Sequence, residues 1–181
     1  MRIAGLFLAL LLVGCSEPNW RMTDISGAMP KLEFRMTFGG KPVTADAFRG
    51  KVVALFFGYT HCPDVCPATL ANLTDMLAKV NSPDVVVLFV TVDPERDSDT
   101  VMADYGRAFS RQVVGLRGTP NQLASLARTY RVAYDVKNGP PYEVTHSNAV
   151  FFFDKDGRAR LVTTDTANTV AMADDVKRLL K

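Results

Sequence analysis

The fold is decided by residues 52–67, which read VVALFFGYTHCPDVCP. The stretch from Val52 to Phe57 is entirely apolar and rich in valine and phenylalanine, which is typical of a strand buried on both faces of a sheet. Cys62 and Cys66 follow in the loop that leaves this strand, before the next helical pattern begins. We therefore expect both thiols at the end of a buried strand, where a loop can present them to a ligand.

The helix after this loop is predicted by apolar residues that recur at spacings of three and four: Leu70, Leu73, Leu77 and Val80. Pro67 lacks an amide hydrogen, so it suits the first helical position and disfavours helical geometry at Cys66. We expect Cys66 at the mouth of the helix, where the positive end of the helix dipole favours a thiolate over a thiol.

Strand and helix patterns alternate along the rest of the chain. The predicted strands cover residues 32–38, 52–57, 85–92, 113–116, 132–135, 148–154 and 159–163. The predicted helices follow residue 67, span 100–109, begin at Pro120 and run from 168 to 180. Asp156-Gly157, between the last two strands, is a strong hairpin signal. This order predicts an α/β domain with a thioredoxin-like fold, in which a mixed central sheet is flanked by helices.

The first residues have a different character. Residues 3–13 form an almost unbroken apolar run, shorter than the roughly 20 residues that a membrane-spanning helix needs. The run fits the apolar part of an export signal, and Leu12-Val13-Gly14-Cys15 resembles the lipobox of bacterial lipoproteins. Residues 1–14 are then a cleaved lipoprotein signal peptide, and Cys15 carries the lipid that anchors the protein to a membrane. An ordinary signal peptide with an incidental cysteine and an uncleaved anchor are the alternatives.

Residues 15–31 are interpreted as a lipidated N-terminus and linker, because they combine little periodicity with Pro18, Gly27 and Pro30. The folded domain is predicted to cover residues 32–181. The protein is expected on the periplasmic or extracytoplasmic side of a membrane, with the inner membrane favoured over the outer.

The 181 residues carry a formal net charge of +2, and the charged side chains are scattered rather than clustered. A nucleic-acid-binding protein needs a concentrated basic face, so we expect no nucleic acid among the partners. The acidic pair Asp174-Asp175 and the basic pair Lys177-Arg178 are expected to form an ordinary solvated helix face.

The chemistry of the loop depends on its two sulfurs. Three residues separate Cys62 from Cys66, one more than in the usual redox pair, and the wider loop has room for an ion. A disulfide remains possible, either redox-active or inert. Thiolates select Cu(I), zinc or an iron–sulfur cluster, but zinc normally takes four protein ligands and clusters commonly take four cysteines. Because the chain has three cysteines in total, a metal needs a ligand of another type.

The chain has two histidines, His61 and His146. His61 directly precedes Cys62, so we expect it to point away from the sulfurs as an exposed loop residue. His146 lies just before a predicted buried strand, where thioredoxins place a proline that faces the dithiol. We therefore predict Cys62, Cys66 and His146 as metal ligands, a set that suits trigonal Cu(I), while Cu(II) can add water or a carboxylate.

Two acidic residues are candidates for auxiliary oxygen donors. Asp64 lies between the cysteines, and Asp93 follows the second buried strand. The alternatives are structural: Asp64 can cap a turn, and Asp93 can fix the loop 93–97.

Three motifs together resemble the Sco/SenC family of copper chaperones: GYTHCPDVCP at 58–67, DPERD at 93–97 and HS at 146–147. The resemblance covers roughly residue 32 to the C-terminus. It implies a thioredoxin-like fold, membrane tethering, copper ligation by Cys62, Cys66 and His146, and copper delivery to the binuclear copper A centre of cytochrome c oxidase. The family often has an aspartate directly before the histidine, where this chain has Thr145.

Two functions compete on this basis. A metallochaperone takes copper from a donor protein and passes it to the copper-binding subunit of cytochrome c oxidase. A thiol–disulfide oxidoreductase uses Cys62 and Cys66 as a redox-active pair to reduce the cysteines of the oxidase copper site. A thiol peroxidase shares the fold but matches the paired cysteines and late histidine less well. His146 discriminates, because a reductase does not need it and a copper site does.

Overall fold

The structure, a computed structural model, describes residues 19–181, so the predicted signal peptide and Cys15 lie outside the described residues. The strands are β1 (Thr23–Asp24), β2 (Arg35–Phe38), β3 (Lys41–Thr44), β4 (Val52–Gly58), β5 (Val85–Thr91), β6 (Val113–Leu116), β7 (Tyr134–Lys137), β8 (Glu143–His146), β9 (Val150–Phe153) and β10 (Ala159–Thr163). The helices are α1 (Val65–Val80), α2 (Asp99–Phe109), α3 (Pro120–Thr129) and α4 (Thr169–Leu179), with a short 3-10 helix at Ala45–Phe48.

A six-stranded mixed sheet in the order β1-β10-β9-β4-β5-β6 forms the centre. Strands β4, β5 and β6 run parallel, whereas β9 pairs antiparallel with β4 and is followed by antiparallel β10 and β1. Helix α1 packs against α4, and α2 packs against β6. The predicted α/β class, a thioredoxin-like fold with a mixed sheet flanked by helices, is confirmed.

The core lies around β4, the strand that leads to the two cysteines. Every residue of β4 and of its parallel neighbour β5 is buried, as expected for strands covered on both faces. The predicted apolar stripe of α1 is also buried: Leu70, Leu73, Leu77 and Val80. Helix α1 begins at Val65, earlier than Pro67 suggested, so Cys66 lies inside its first turn. The proline is tolerated there because first-turn amides have no partner within the helix.

Two segments differ from the prediction. The strand expected at 132–135 lies at Tyr134–Lys137, and it pairs with β8 as a separate two-stranded sheet. We call this pair the histidine hairpin (residues 134–146), because its last residue is His146. The hairpin predicted around Asp156-Gly157 is confirmed, since β9 and β10 pair antiparallel across it.

Residues 21–24, within the segment expected to be a linker, lie against the domain. Thr23–Asp24 forms β1 on β10, and Met22 is buried. The backbone N–H groups of Arg21 and Met22 both donate to Asp175 Oδ2 at 2.8 Å. Asp175 is therefore buried rather than part of a solvated face. In the described part of the chain, no helix is long and apolar enough to cross a membrane.

Candidate metal centre

The buried strand β4 ends directly beneath the two thiols. Cys66 is fully buried, and Cys62 is half-buried in the preceding loop. The space between strand and sulfur is tight, because a Cβ built on Gly58 would lie 2.7 Å from Cys66 Sγ and 2.8 Å from Phe89 Cε2. Glycine at the end of β4 thus allows the sulfur of Cys66 to sit against the sheet.

The amino end of α1 is directed at Cys62. The backbone N–H of Cys66 donates to Cys62 Sγ at 3.4 Å. Burial raises the pKa of Cys62, but hydrogen bonds from Cys66 and from the backbone N–H groups of Asp64 and Val65 outweigh burial and place the pKa below its usual value. These amides are the unpaired donors of the first helical turn, which stabilise a negative charge.

Cys66 has the opposite character. Burial raises the pKa of this thiol far above its usual value, and the nearby charges of Cys62 and Asp97 raise the pKa further. The sequence predicted that the helix dipole would favour a thiolate at Cys66, and the structure corrects this. The sulfur of Cys66 is directed into the protein, so Cys62 receives the helix amides instead.

His146 closes the site from the histidine hairpin. Its Nε2 lies 3.2 Å from Cys66 Sγ. One ligand atom each from Cys62, Cys66 and His146 can be chosen so that all three lie within 4.8 Å of one another. Residues 80 positions apart are thus brought together around one point. Within residues 19–181, Cys62, Cys66 and His146 form the one group of cysteine, histidine or acidic side chains whose ligand atoms are close enough to hold a metal ion.

The imidazole of His146 is held in the form that a metal needs. Its Nδ1 lies 2.9 Å from the backbone carbonyl of Ser147, and a carbonyl only accepts, so Nδ1 carries the proton and Nε2 is left with a free lone pair. Burial lowers the pKa of His146, and the Ser147 carbonyl opposes this in part, so the ring stays neutral at pH 7. The Ser147 carbonyl therefore orients the ring without an aspartate before the histidine.

A model of the SCO1/SenC family matches residues 29–181 of this chain. The chain belongs to this family. Mouse (Mus musculus) "Protein SCO2 homolog, mitochondrial" is 36% identical over 169 residues, which cover 85% of this chain and 66% of that protein. The chain spans from 44% to 66% of the length of several mitochondrial SCO2 relatives that it matches.

Solved structures of SCO1/SenC relatives share this architecture. ScoI from Arabidopsis thaliana, solved with copper bound, has a TM-score of 0.76 and 31% identity, and the match covers 83% of this chain and 97% of that one. ScoI from Bradyrhizobium japonicum, also with copper bound, has a TM-score of 0.74 and 34% identity, covering 82% and 98%. At this similarity the relatives and this chain share one fold over nearly the whole described domain.

The remaining sequence candidates, His61, Asp64 and Asp93, lie outside the group of three ligand atoms. His61 is more than half exposed, as expected for a loop histidine. Asp64 precedes α1 and lines the groove beside Cys62, and its side chain makes no capping hydrogen bond to the helix. Asp93 is buried and accepts hydrogen bonds from Tyr142 and Arg96, which agrees with the alternative that it fixes the loop 93–97.

An open groove gives access to Cys62 and His146. It is lined on one side by the cysteine loop (residues 58–66, from the end of β4 into the first turn of α1) and on the other by the histidine hairpin with its following loop. The lining residues are Tyr59, Cys62, Pro63, Asp64, Val65, Val144, Thr145, His146, Ser147 and Asn148. The rings of Phe56 and Tyr59 meet the imidazole edge-on at centroid distances of 6.1 Å and 5.8 Å. Sequence reasoning missed Gly58, Tyr59 and Tyr142. Gly58 could have been identified from the sequence, since a glycine between a buried strand and two thiols indicates a close approach to the backbone.

Proposed function

We propose that this protein is a copper-binding metallochaperone that delivers copper to the binuclear copper A site during cytochrome c oxidase assembly. The convergence of Cys62 Sγ, Cys66 Sγ and a nitrogen of His146 within 4.8 Å carries the proposal. Two thiolates and one imidazole match the soft-donor preference of Cu(I). The two copper-bound ScoI relatives support copper as the cargo, and membership of the SCO1/SenC family supports the oxidase as the recipient.

The two sulfurs have different parts in capture and release. Cys62 is accessible and has a lowered pKa, so it is the first thiolate to meet copper. Cys66 loses its proton only when copper replaces it, and the displaced proton leaves to solvent. His146 adds Nε2, which is already unprotonated. On release, a thiolate of the recipient enters the groove beside Cys62 and displaces this sulfur first, because Cys66 is buried.

A competitive Cu(I) titration tests the assignment. Wild-type protein should bind one equivalent. Replacing either cysteine by serine removes a strong anionic ligand and should weaken binding on the order of 100-fold, whereas His146→Ala should weaken it about 10-fold. His61→Ala is the matched histidine control. This exposed ring contacts Thr60 and Asp97 but none of the three ligand atoms, so its loss should change affinity much less than His146→Ala does. An unchanged affinity in His146→Ala would show that the site is assigned wrongly.

The second candidate function is thiol–disulfide exchange on the cysteines of the oxidase copper site. The lowered pKa of Cys62 favours it, because a thiolate attacks disulfides. Dithiol exchange does not require an imidazole nitrogen 3.2 Å from Cys66 Sγ, whereas a three-donor copper site does, so that contact favours the chaperone. His146→Ala separates the two functions, since it should weaken copper binding and leave the rate of dithiol exchange unchanged.

The cellular setting is part of the proposal. Cys15 would carry a lipid that tethers the domain to the extracytoplasmic face of a membrane, with the inner membrane favoured, and a separate donor protein would supply copper. The support is the lipobox-like Leu12-Val13-Gly14-Cys15. Mass spectrometry of the mature N-terminus decides this point, because an unmodified Cys15 would exclude the lipid anchor.

A further inference from the structure

We infer that the loop 93–97 is a positioning clamp that holds both halves of the copper site, one through Asp97 and one through Asp93. The inference rests on the proposed function and extends it to a motif that has no donor atom in the site. Both carboxylates are buried, with 1% of Asp93 and none of Asp97 exposed. Buried carboxylates need hydrogen-bond partners, and the identity of these partners gives the loop its role.

The Asp97 arm reaches the cysteine loop. Asp97 Oδ2 accepts a hydrogen bond from the backbone N–H of Thr60 at 3.1 Å, and Oδ1 accepts from the Thr60 hydroxyl. Thr60 lies two residues before Cys62. Asp97 Oδ2 also accepts from the Thr91 hydroxyl at the end of β5, at 2.6 Å. The carboxylate thus ties the start of the cysteine loop to the central sheet.

The Asp93 arm reaches the histidine hairpin. The Tyr142 hydroxyl donates to Asp93 Oδ1 at 2.8 Å, and Arg96 Nε donates to Oδ2. The Arg96 guanidinium also stacks over the Tyr142 ring, 3.9 Å from its centroid. Tyr142 directly precedes β8, and β8 ends at His146. Because the hairpin is a separate sheet, hydrogen bonds to the six-stranded sheet do not set its position.

The two arms are rigidly joined. The backbone N–H of Asp97 donates to the carbonyl of Asp93 at 3.0 Å, and the N–H of Asp93 donates to the Thr91 hydroxyl at 2.9 Å. One short segment at the end of β5 therefore links the dithiol to the imidazole, in addition to the direct hydrogen bond from the Tyr59 hydroxyl to the Val144 carbonyl of β8 at 3.5 Å. Its residues act through Thr60 and Tyr142 and are positioning residues rather than ligands.

The hairpin arm is tested by Tyr142→Phe, which removes the hydroxyl and keeps the ring under Arg96. Loss of a hydrogen bond to a carboxylate should lower Cu(I) affinity about 5-fold in wild type. In a His146→Ala background the same change should have almost no effect, because the arm acts only through the imidazole. Lys137→Gln is the matched control: it breaks an exposed ion pair with Glu143 on the same hairpin and should leave affinity unchanged.

The cysteine arm should give the opposite pattern. Thr60→Val removes the hydroxyl that donates a hydrogen bond to Asp97. It should lower Cu(I) affinity about 5-fold in wild type and by the same factor in the His146→Ala background, because this arm acts through the sulfurs. Thr60→Ser keeps the hydroxyl and should retain wild-type affinity. If the two arms had a purely structural role, Tyr142→Phe and Thr60→Val would lower thermal stability, and their effects on Cu(I) affinity would not differ between the wild-type and His146→Ala backgrounds.

A copper-free readout separates failure of the clamp from failure of the proposed function. In reduced protein without metal, Tyr142→Phe should shift the ring nitrogen NMR signals of His146, and Lys137→Gln should not. Unshifted signals in Tyr142→Phe, or an equal loss of affinity in both backgrounds, would overturn the clamp. Shifted signals with no Cu(I) binding by wild type would leave the clamp standing and overturn the proposed function.

Discussion

The cysteine loop and the histidine hairpin meet at one site but are built in different ways. The loop (residues 58–66) leaves a strand with every residue buried, and its Cys66 is fully buried against the sheet. The hairpin lies outside the main sheet, and its strands alternate between exposed and half-buried residues. The sulfurs are thus positioned by a strand and helix of the core, whereas the imidazole is positioned by a few side-chain contacts between the hairpin and neighbouring segments.

This difference assigns separate roles to the two regions. Regions with few buried apolar contacts open at lower free energy than core strands do. Under the proposed function, the dithiol would keep its geometry while the imidazole is displaced, and copper would pass from three donors to two without unfolding of the domain. A chaperone needs both properties, since it must hold its cargo and also release it.

The largest expected effect is a difference in alkylation rate between accessible Cys62 and buried Cys66, which tests whether the core encloses the second sulfur. In reduced, copper-free protein at pH 7.5, iodoacetamide should modify Cys62 on the order of 100-fold faster than Cys66. The lowered pKa of Cys62 means that its thiolate forms below the usual thiol range, so its rate should level off at lower pH than that of a free cysteine. Burial and a raised pKa keep Cys66 a thiol throughout the neutral range.

Mass spectrometry of the labelled peptides gives both rates at each pH. Equal rates at the two cysteines, or faster labelling of Cys66, would remove the contrast between an accessible and a core-held sulfur.

A smaller effect is expected from crowding the sulfur. Gly58→Ala places a Cβ 2.7 Å from Cys66 Sγ, so the sulfur must move, and Cu(I) affinity should fall about 10-fold. Gly115→Ala is the control in the same sheet, because its Cβ would lie 2.1 Å from the Met102 carbonyl oxygen. Gly58→Ala should lose about 1–3 kcal/mol of unfolding free energy, and Gly115→Ala should lose at least as much because its Cβ meets backbone atoms. Only Gly58→Ala should lose copper affinity.

Chemical denaturation and Cu(I) competition on the same samples check this pair. If Gly115→Ala weakened copper binding as much as Gly58→Ala, general destabilisation would explain the result, and close packing under Cys66 would have no special part in the site.

The same contrast explains what the sequence could predict. The strand at Val52–Phe57 and the stripe of α1 are local patterns, so the cysteine loop was placed correctly from residues that are neighbours in the chain. A strand near β7 was expected, but its pairing with β8 was missed. The strands of the hairpin alternate between exposed and half-buried residues instead of forming an apolar run, and the anchor, Tyr142 on Asp93, joins residues 49 positions apart. His146 was still identified, from its place before a buried strand and from the family motif.

The electrostatics of the thiols could not be predicted from the sequence either. Helix position alone indicated a thiolate at Cys66, but the direction of each side chain decides which sulfur receives the helix amides. The N-terminal segment shows the same limit. No local pattern predicts the packing of Arg21 and Met22, because their backbone N–H groups donate to the carboxylate of Asp175, more than 150 residues away.

The most direct test of the copper site is X-ray absorption spectroscopy at the copper K-edge, on protein loaded with one equivalent of Cu(I). We expect a first coordination shell of two sulfurs and one imidazole nitrogen, with the nitrogen contribution lost in His146→Ala and one sulfur lost in Cys66→Ser. A shell of two sulfurs alone in wild type, unchanged by His146→Ala, would contradict the account, because the cysteine loop would then bind copper without the histidine hairpin.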